Sequence, residues 1–123
     1  AGKFGKFILS SSRGTCGTVF KNGQPHKIEA AMASADFNGM QIELIQPLDD
    51  TSVYADFLRD CGGGLHHLCF DTGDIPFDEL NAYLKERYGE PVFGGIGAKT
   101  QFAYYDAVKD MGTFIEIVTK KPE

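Results

Sequence analysis

The chain has 123 residues, the size of one domain or of two small halves sharing a core, and its 42% hydrophobic and 24% charged residues supply a core and exclude a disordered chain. A formal net charge of −5, with only 12 lysines and arginines scattered along the chain, argues against a general nucleic acid binder, which needs a basic face for phosphates. No apolar run approaches the roughly 20 residues that cross a bilayer, the first seven residues lack the apolar stretch of a signal peptide, and Cys16, Cys61 and Cys69, without CxxC spacing, read as buried thiols in a reducing compartment, so a cytoplasmic protein without membrane partners is expected.

Short segments that alternate apolar and polar residues, punctuated by 15 glycines, predict a strand-rich chain. Phe7–Ser11 reads as a strand, and Asn22-Gly23 in the loop that follows is a strong turn signal. Lys27–Phe37 reads as a second strand. Asn38-Gly39 joins it tightly to Met40–Gln46, and Pro47 ends the ladder because it has no amide hydrogen, so these two strands should form a hairpin. From Asp50 to Arg59 the period turns helical, with Val53 and Phe57 recurring beside Tyr54 and Leu58, a cap from Asp50, Thr51 or Ser52, and Gly62–Gly64 as terminator. Leu65–Thr72 returns to strand spacing. Pro76, with Asp78 and Glu79 at the positive end of the helix dipole, opens the main helix, whose stripe of Phe77, Leu80, Tyr83 and Leu84 runs to about Gly89. Pro91–Phe93, Gln101–Asp106 and Gly112–Thr119 complete the chain as three further strands.

The last strand of each half repeats one pattern: Gly39-Met40-Gln41-Ile42-Glu43-Leu44-Ile45 returns 73 residues later as Gly112-Thr113-Phe114-Ile115-Glu116-Ile117-Val118. Each half also ends in two adjacent strands joined by a turn, so the chain reads as two related modules. The second is β, α, β, β, β. The first lacks a counterpart to the strand and helix over Leu65–Gly89, since the same interval taken back from His67 falls before Ala1. Either the first module is naturally short or its beginning lies outside this sequence.

Strand alternation places Glu43 with Gln41 and Ile45, opposite Met40, Ile42 and Leu44, which should face a core. Glu116 shares its face with Phe114 and Val118, and His67 shares one with Leu65 and Cys69, opposite His66, Leu68 and Phe70. Singly, a glutamate on a one-sided sheet is ordinarily solvated. Should the modules close around a cleft, two carboxylates and a neutral imidazole suit a divalent metal, and three protein ligands leave positions open for water or substrate, as in a catalytic site.

Gly39–Pro47, Ser52–Leu58, Gly63-Gly64-Leu65-His66-His67-Leu68-Cys69-Phe70 and Asp74 together resemble the vicinal oxygen chelate superfamily of glyoxalases, bleomycin resistance proteins and ring-cleaving dioxygenases, most of all its methylmalonyl-CoA epimerase and glyoxalase-like branch. The resemblance covers about Phe4 to Val118 and implies an α+β fold, paired βαβββ modules forming a curved, partly closed mixed sheet, here with the first module lacking its first strand and helix. It implies one glyoxalase-like domain over 1–123, with a partial first module (1–48), a linker helix (49–64) and a second module (65–123). Metal ligands in this family come from the first and last strands of each module, so Glu43, His67 and Glu116 match three of four positions, and the first-module histidine has no counterpart. The epimerase-type general base has no clean match, although His26–Glu29 holds candidates.

The function so implied is a divalent-metal-dependent isomerase, epimerase or lyase acting on a small acyl or 2-oxo substrate through an enediolate, with Glu116, or a residue near Glu29, removing the proton. The alternative from another class is a non-catalytic small-molecule binder of the antibiotic-sequestering kind, with Phe102, Tyr104 and Tyr105 lining its groove, although most of these aromatics are expected to pack on the helix. Two solvated, distant glutamates would favour it. A third reading is a dimerisation domain whose site has decayed. The uncovered sheet edge predicts a homodimer, with elements exchanged or not.

Overall fold

A computed structural model of the chain describes residues 8–13, 17–97 and 100–120. In chain order the elements are β1 (Ile8–Arg13), β2 (Gly17–Lys21), β3 (Gln24–His26), β4 (Glu29–Phe37), β5 (Met40–Pro47), α1 (Val53–Cys61), β6 (His67–Asp71), α2 (Phe77–Tyr88), β7 (Phe93–Gly97), β8 (Thr100–Tyr105), α3 (Val108–Met111) and β9 (Phe114–Lys120). The architecture is α+β, as expected, and the sheets do not close into a barrel. Cys16, at the end of an undescribed segment, lies outside the described residues.

Turn chemistry sets the hairpins. Asn38 and Gly39 adopt φ of 50° and 78°, the left-handed pair that matches strand twist, and β4 and β5 align with Phe37 opposite Met40 and Ser34 opposite Glu43. Asn22 and Gly23 repeat this geometry between β2 and β3, a hairpin where a loop is expected from sequence. β1 pairs with β4 on its other side, giving a three-stranded sheet β1-β4-β5. The remaining strands form a six-stranded sheet in the order β3-β2-β7-β8-β9-β6, all antiparallel except β6 against β9.

The caps of α1 are those read from sequence. The Ser52 hydroxyl accepts from the Ala55 amide at 3.1 Å, and Gly62, at φ 73°, donates its N–H to the Leu58 carbonyl at 2.9 Å. Asp49 fastens this start to the small sheet, one oxygen accepting from the Ser52 amide at 3.0 Å and the other from the Glu29 amide at 2.8 Å. From that anchor Tyr54 enters a core with Val19, Ile28, Phe93 and Tyr104, against which Ile45 of β5 and Phe102 pack. This core joins the two sheets. On the other face of the large sheet, Phe77, Leu80, Leu84 and Tyr88 of α2 cover Ala103, Tyr105 and Ile117.

Three expectations need correction. Met40 and Leu44 point away from the site but meet no core, being 58% and 55% exposed, because no described element covers that face of β5. Cys61 and Cys69 are exposed residues without a disulfide and belong to no core, although the Cys69 thiol itself is half-buried. Of the three aromatics expected mainly on the helix, only Tyr105 belongs to the α2 core: Tyr104 and Phe102, one residue out of phase with Ala103 and Tyr105, face the opposite way.

Candidate functional site

Glu43 comes from β5 of the small sheet, His67 from the start of β6, and Glu116 from the middle of β9, where it lies beside Cys69 in the parallel register. The fold brings all three to one point. His67 Nε2 lies 3.2 Å from Glu116 Oε1 and 4.0 Å from Glu43 Oε1. The His67 and Glu116 side chains are 10% and 14% exposed, and that of Glu43 is 36% exposed, so the site opens to solvent on the Glu43 side. Burial raises the Glu43 carboxyl above its ordinary range; His67 partly opposes this and the Glu116 charge adds to it. The Cys69 thiol donates to the Glu116 carboxylate, and burial followed by that negative charge pushes the thiol up to about 12, which keeps it protonated.

Two tyrosines close the floor. Tyr104, opposite Glu116 in the β8–β9 register, shares a 2.7 Å hydroxyl–hydroxyl bond with Tyr54, and its oxygen lies 3.5 Å from His67 Nε2. Burial drives both phenols far above their usual range, with the Glu116 charge contributing, so each holds its proton and can donate a hydrogen bond. Tyr54 was not legible as a site residue, because its helical spacing reads only as core.

His66 departs from strand alternation. It precedes β6, and its ring turns to the same side as His67, with the two Nδ1 atoms 2.9 Å apart, instead of pointing the opposite way. Burial first, and His67 second, lower its pKa to about 4, so it is neutral under ordinary conditions. Glu29 is no neighbour of the site: it lies five residues before Ser34, the residue opposite Glu43, which is roughly 17 Å along the strand and on the alternate face.

The donor set was tested against a divalent cation. Oxygen and nitrogen ligands held at about 2.1–2.5 Å from one ion stand roughly 3–4 Å from each other, the range spanned by the two contacts of His67 Nε2. Among the described residues no three His, Cys, Asp or Glu side chains form a ready-made cage. Two donors are in contact, and Glu43, the longer contact, must turn inward to complete a set of three. The residues therefore suit such an ion in kind, and in spacing only once Glu43 has turned inward. A separate cleft of about 420 Å³ beside α2, bordered by Phe20, Phe77, Asn81, Glu90, Gly94 and Phe102, includes none of them.

Paired sheets with a histidine and two glutamates converging from β5, β6 and β9 define a glyoxalase-like protein, and residues 9–104 match the glyoxalase/bleomycin resistance protein/dioxygenase superfamily. The chain belongs to that superfamily. Among solved structures it is similar to a hypothetical protein from Bacillus halodurans, 23% identical with a TM-score of 0.57, over 94% of this chain and 78% of that one. It is also similar to a Streptomyces coelicolor methylmalonyl-CoA epimerase solved with 2-nitronate-propionyl-CoA, 22% identical with a TM-score of 0.50, over 77% of this chain and 72% of that one. These likenesses are of fold. No curated protein sequence matches the chain significantly. Among the described residues no helix is long and apolar enough to cross a membrane.

Proposed function

We propose that the chain is a divalent-metal-dependent isomerase, epimerase or lyase of a small acyl or 2-oxo substrate. The observation that carries this reading is the approach of Glu43 and Glu116 to one nitrogen of His67 from two different sheets. Superfamily membership supports it. His67, Glu116 and Glu43 would hold the ion, which when bound would polarise a substrate carbonyl and acidify the adjacent C–H. Glu116 is the candidate base read from sequence. Glu43 shares that candidacy, because it is the more exposed carboxylate and its raised pKa makes its ionised form a stronger proton acceptor. The Tyr104 hydroxyl, kept protonated, is placed to donate to an oxygen of a molecule held beside His67.

Elemental analysis and cation titration test this reading. The wild-type protein should bind about one divalent ion per chain, and His67→Ala should abolish uptake because it removes the donor shared by both carboxylates. A wild-type chain that binds no divalent ion would sink the proposal. The non-catalytic binder has less support, since Tyr104 and Tyr105 are buried in separate cores and the glutamates are not the distant, solvated pair that would favour it.

The division into a partial first module (1–48), a linker helix (49–64) and a second module (65–123) is proposed with it, supported by the order β6, α2, β7, β8, β9 from His67 onward, with the short α3 between the last two strands. We also infer a homodimer. Among the described residues β5 pairs on one side only, and Met40 and Leu44 beside that edge are exposed. Sedimentation showing only monomer at micromolar concentration would count against it.

A further inference from the structure

The backbone carbonyl of His66 is held by two donors, the Phe114 amide at 3.2 Å and the Thr113 hydroxyl at 3.1 Å. With its backbone so fixed, the ring enters a cage of Tyr54, Phe57, Tyr104 and Phe114, with ring centroids 5.0 to 5.8 Å away. Its Nδ1 lies 2.9 Å from Nδ1 of His67, and its Nε2 is buried with no hydrogen-bond partner among the described residues.

A hydrogen bond between two Nδ1 atoms contains one proton, so which ring donates decides which ring keeps a lone pair there. In one arrangement His67 donates from Nδ1, its Nε2 lone pair faces Glu43 and Glu116, and His66 carries its own proton on Nε2. In the other, His66 donates from Nδ1, and His67 carries its proton on Nε2, where it donates to Glu116 across 3.2 Å and is closed to a cation. The two arrangements contain the same number of protons.

We propose that His66 is a positioning residue: by accepting from His67 Nδ1 it fixes the ring orientation and the tautomer of His67 whose Nε2 can take a divalent cation. The inference rests on the cation-binding reading of Glu43, His67 and Glu116. Once Nε2 is a ligand only the first is left, and the aromatic cage suits it, because an N–H can rest against a ring face where a lone pair finds no donor. A ligating imidazole ordinarily donates its second N–H to a carboxylate or carbonyl; here a neighbouring imidazole occupies that position.

Long-range nitrogen-15 NMR of the labelled chain, with and without Zn²⁺, reads the tautomers directly. With zinc the protons should sit on His67 Nδ1 and His66 Nε2. A zinc-loaded chain that keeps the proton on His66 Nδ1 overturns the inference. In zinc titrations His66→Phe, which fills the cage but offers no acceptor, should weaken binding about 10- to 100-fold, whereas His66→Asn, whose amide oxygen accepts at the Nδ1 position, should stay within about threefold of wild type. Equal affinity of His66→Phe and wild type, or equal losses in both variants, also overturns it. If His66→Phe does not fold, the wild-type spectra and His66→Asn still decide. A wild-type chain that takes up no zinc removes the cation-binding reading and this inference together, while zinc uptake indifferent to His66 removes only the role of His66.

Discussion

β5 and β9 carry the same sequence pattern in different surroundings. In β9, Ile115 and Ile117 are 7% and 2% exposed, because β8 and β6 flank the strand and α2 covers that face. At the matching positions of β5, Ile42 is half-buried and Leu44 is 55% exposed, because among the described residues only β4 lies alongside. The glutamates follow suit, Glu116 at 14% and Glu43 at 36% exposure. A strand pattern therefore states which residues share a face, and the neighbours decide what that face meets.

The largest test of this contrast is a pair of truncations followed by chemical denaturation. Ile117→Ala should cost about 2–5 kcal/mol through its cavity, and Leu44→Ala should stay within about 0.5 kcal/mol. A Leu44→Ala cost approaching that of Ile117→Ala would mean that β5 is covered in solution. The residues opposite the two glutamates should differ next. Tyr104→Phe leaves the buried Tyr54 hydroxyl without its partner and should cost about 1–3 kcal/mol, while Ser34→Ala, opposite Glu43, should fall within about 0.5 kcal/mol.

The leading glycines should behave alike, which sharpens the comparison from the other side. Gly39 and Gly112 have φ of 78° and 76°, and a Cβ at either meets nothing within 4 Å. Alanine at each should cost about 1–2 kcal/mol from the left-handed backbone alone; a much larger loss at only one would show that packing, not conformation, requires that glycine. The two strands also differ in their effect on pH dependence. Phe114 of β9 stacks on His66, whereas the matching Gln41 of β5 is exposed. Burial first, and His67 second, hold His66 near a pKa of about 4 against an ordinary 6.5. Between those values the unfolded chain binds a proton there that the folded chain does not, so stability should fall as pH drops through that window, and His66→Phe should flatten the fall in thermal melts.

Much of the fold was legible. The Asn38-Gly39 hairpin, the Ser52 and Gly62 caps and the apolar stripe of α2 are local, each set by a backbone preference or a period that a few residues display. Glu43, His67 and Glu116 could be singled out from repeat, alternation and family resemblance, and Cys69 fell on the face of His67 by the same alternation. Less legible were Tyr54, whose hydroxyl reaches Tyr104 from a different element, and His66, which escapes alternation because it stands just outside the strand. The β2–β3 hairpin was half legible: its turn was, but its short strands gain their place by pairing with β7, far along the chain.

From the order of its residues alone, this chain determines its turns, caps and helix stripe and the side of each strand on which its carboxylates fall, because these depend on dihedral preferences and on periods of two and 3.6 residues. Tertiary structure decided that Glu43 and Glu116 meet at His67, that the His66 ring turns to join them, and that β9 is enclosed while β5 keeps an open side among the described residues. Those outcomes follow from strand order and from the core that joins the two sheets, which bring together residues distant in the chain and which no local preference encodes.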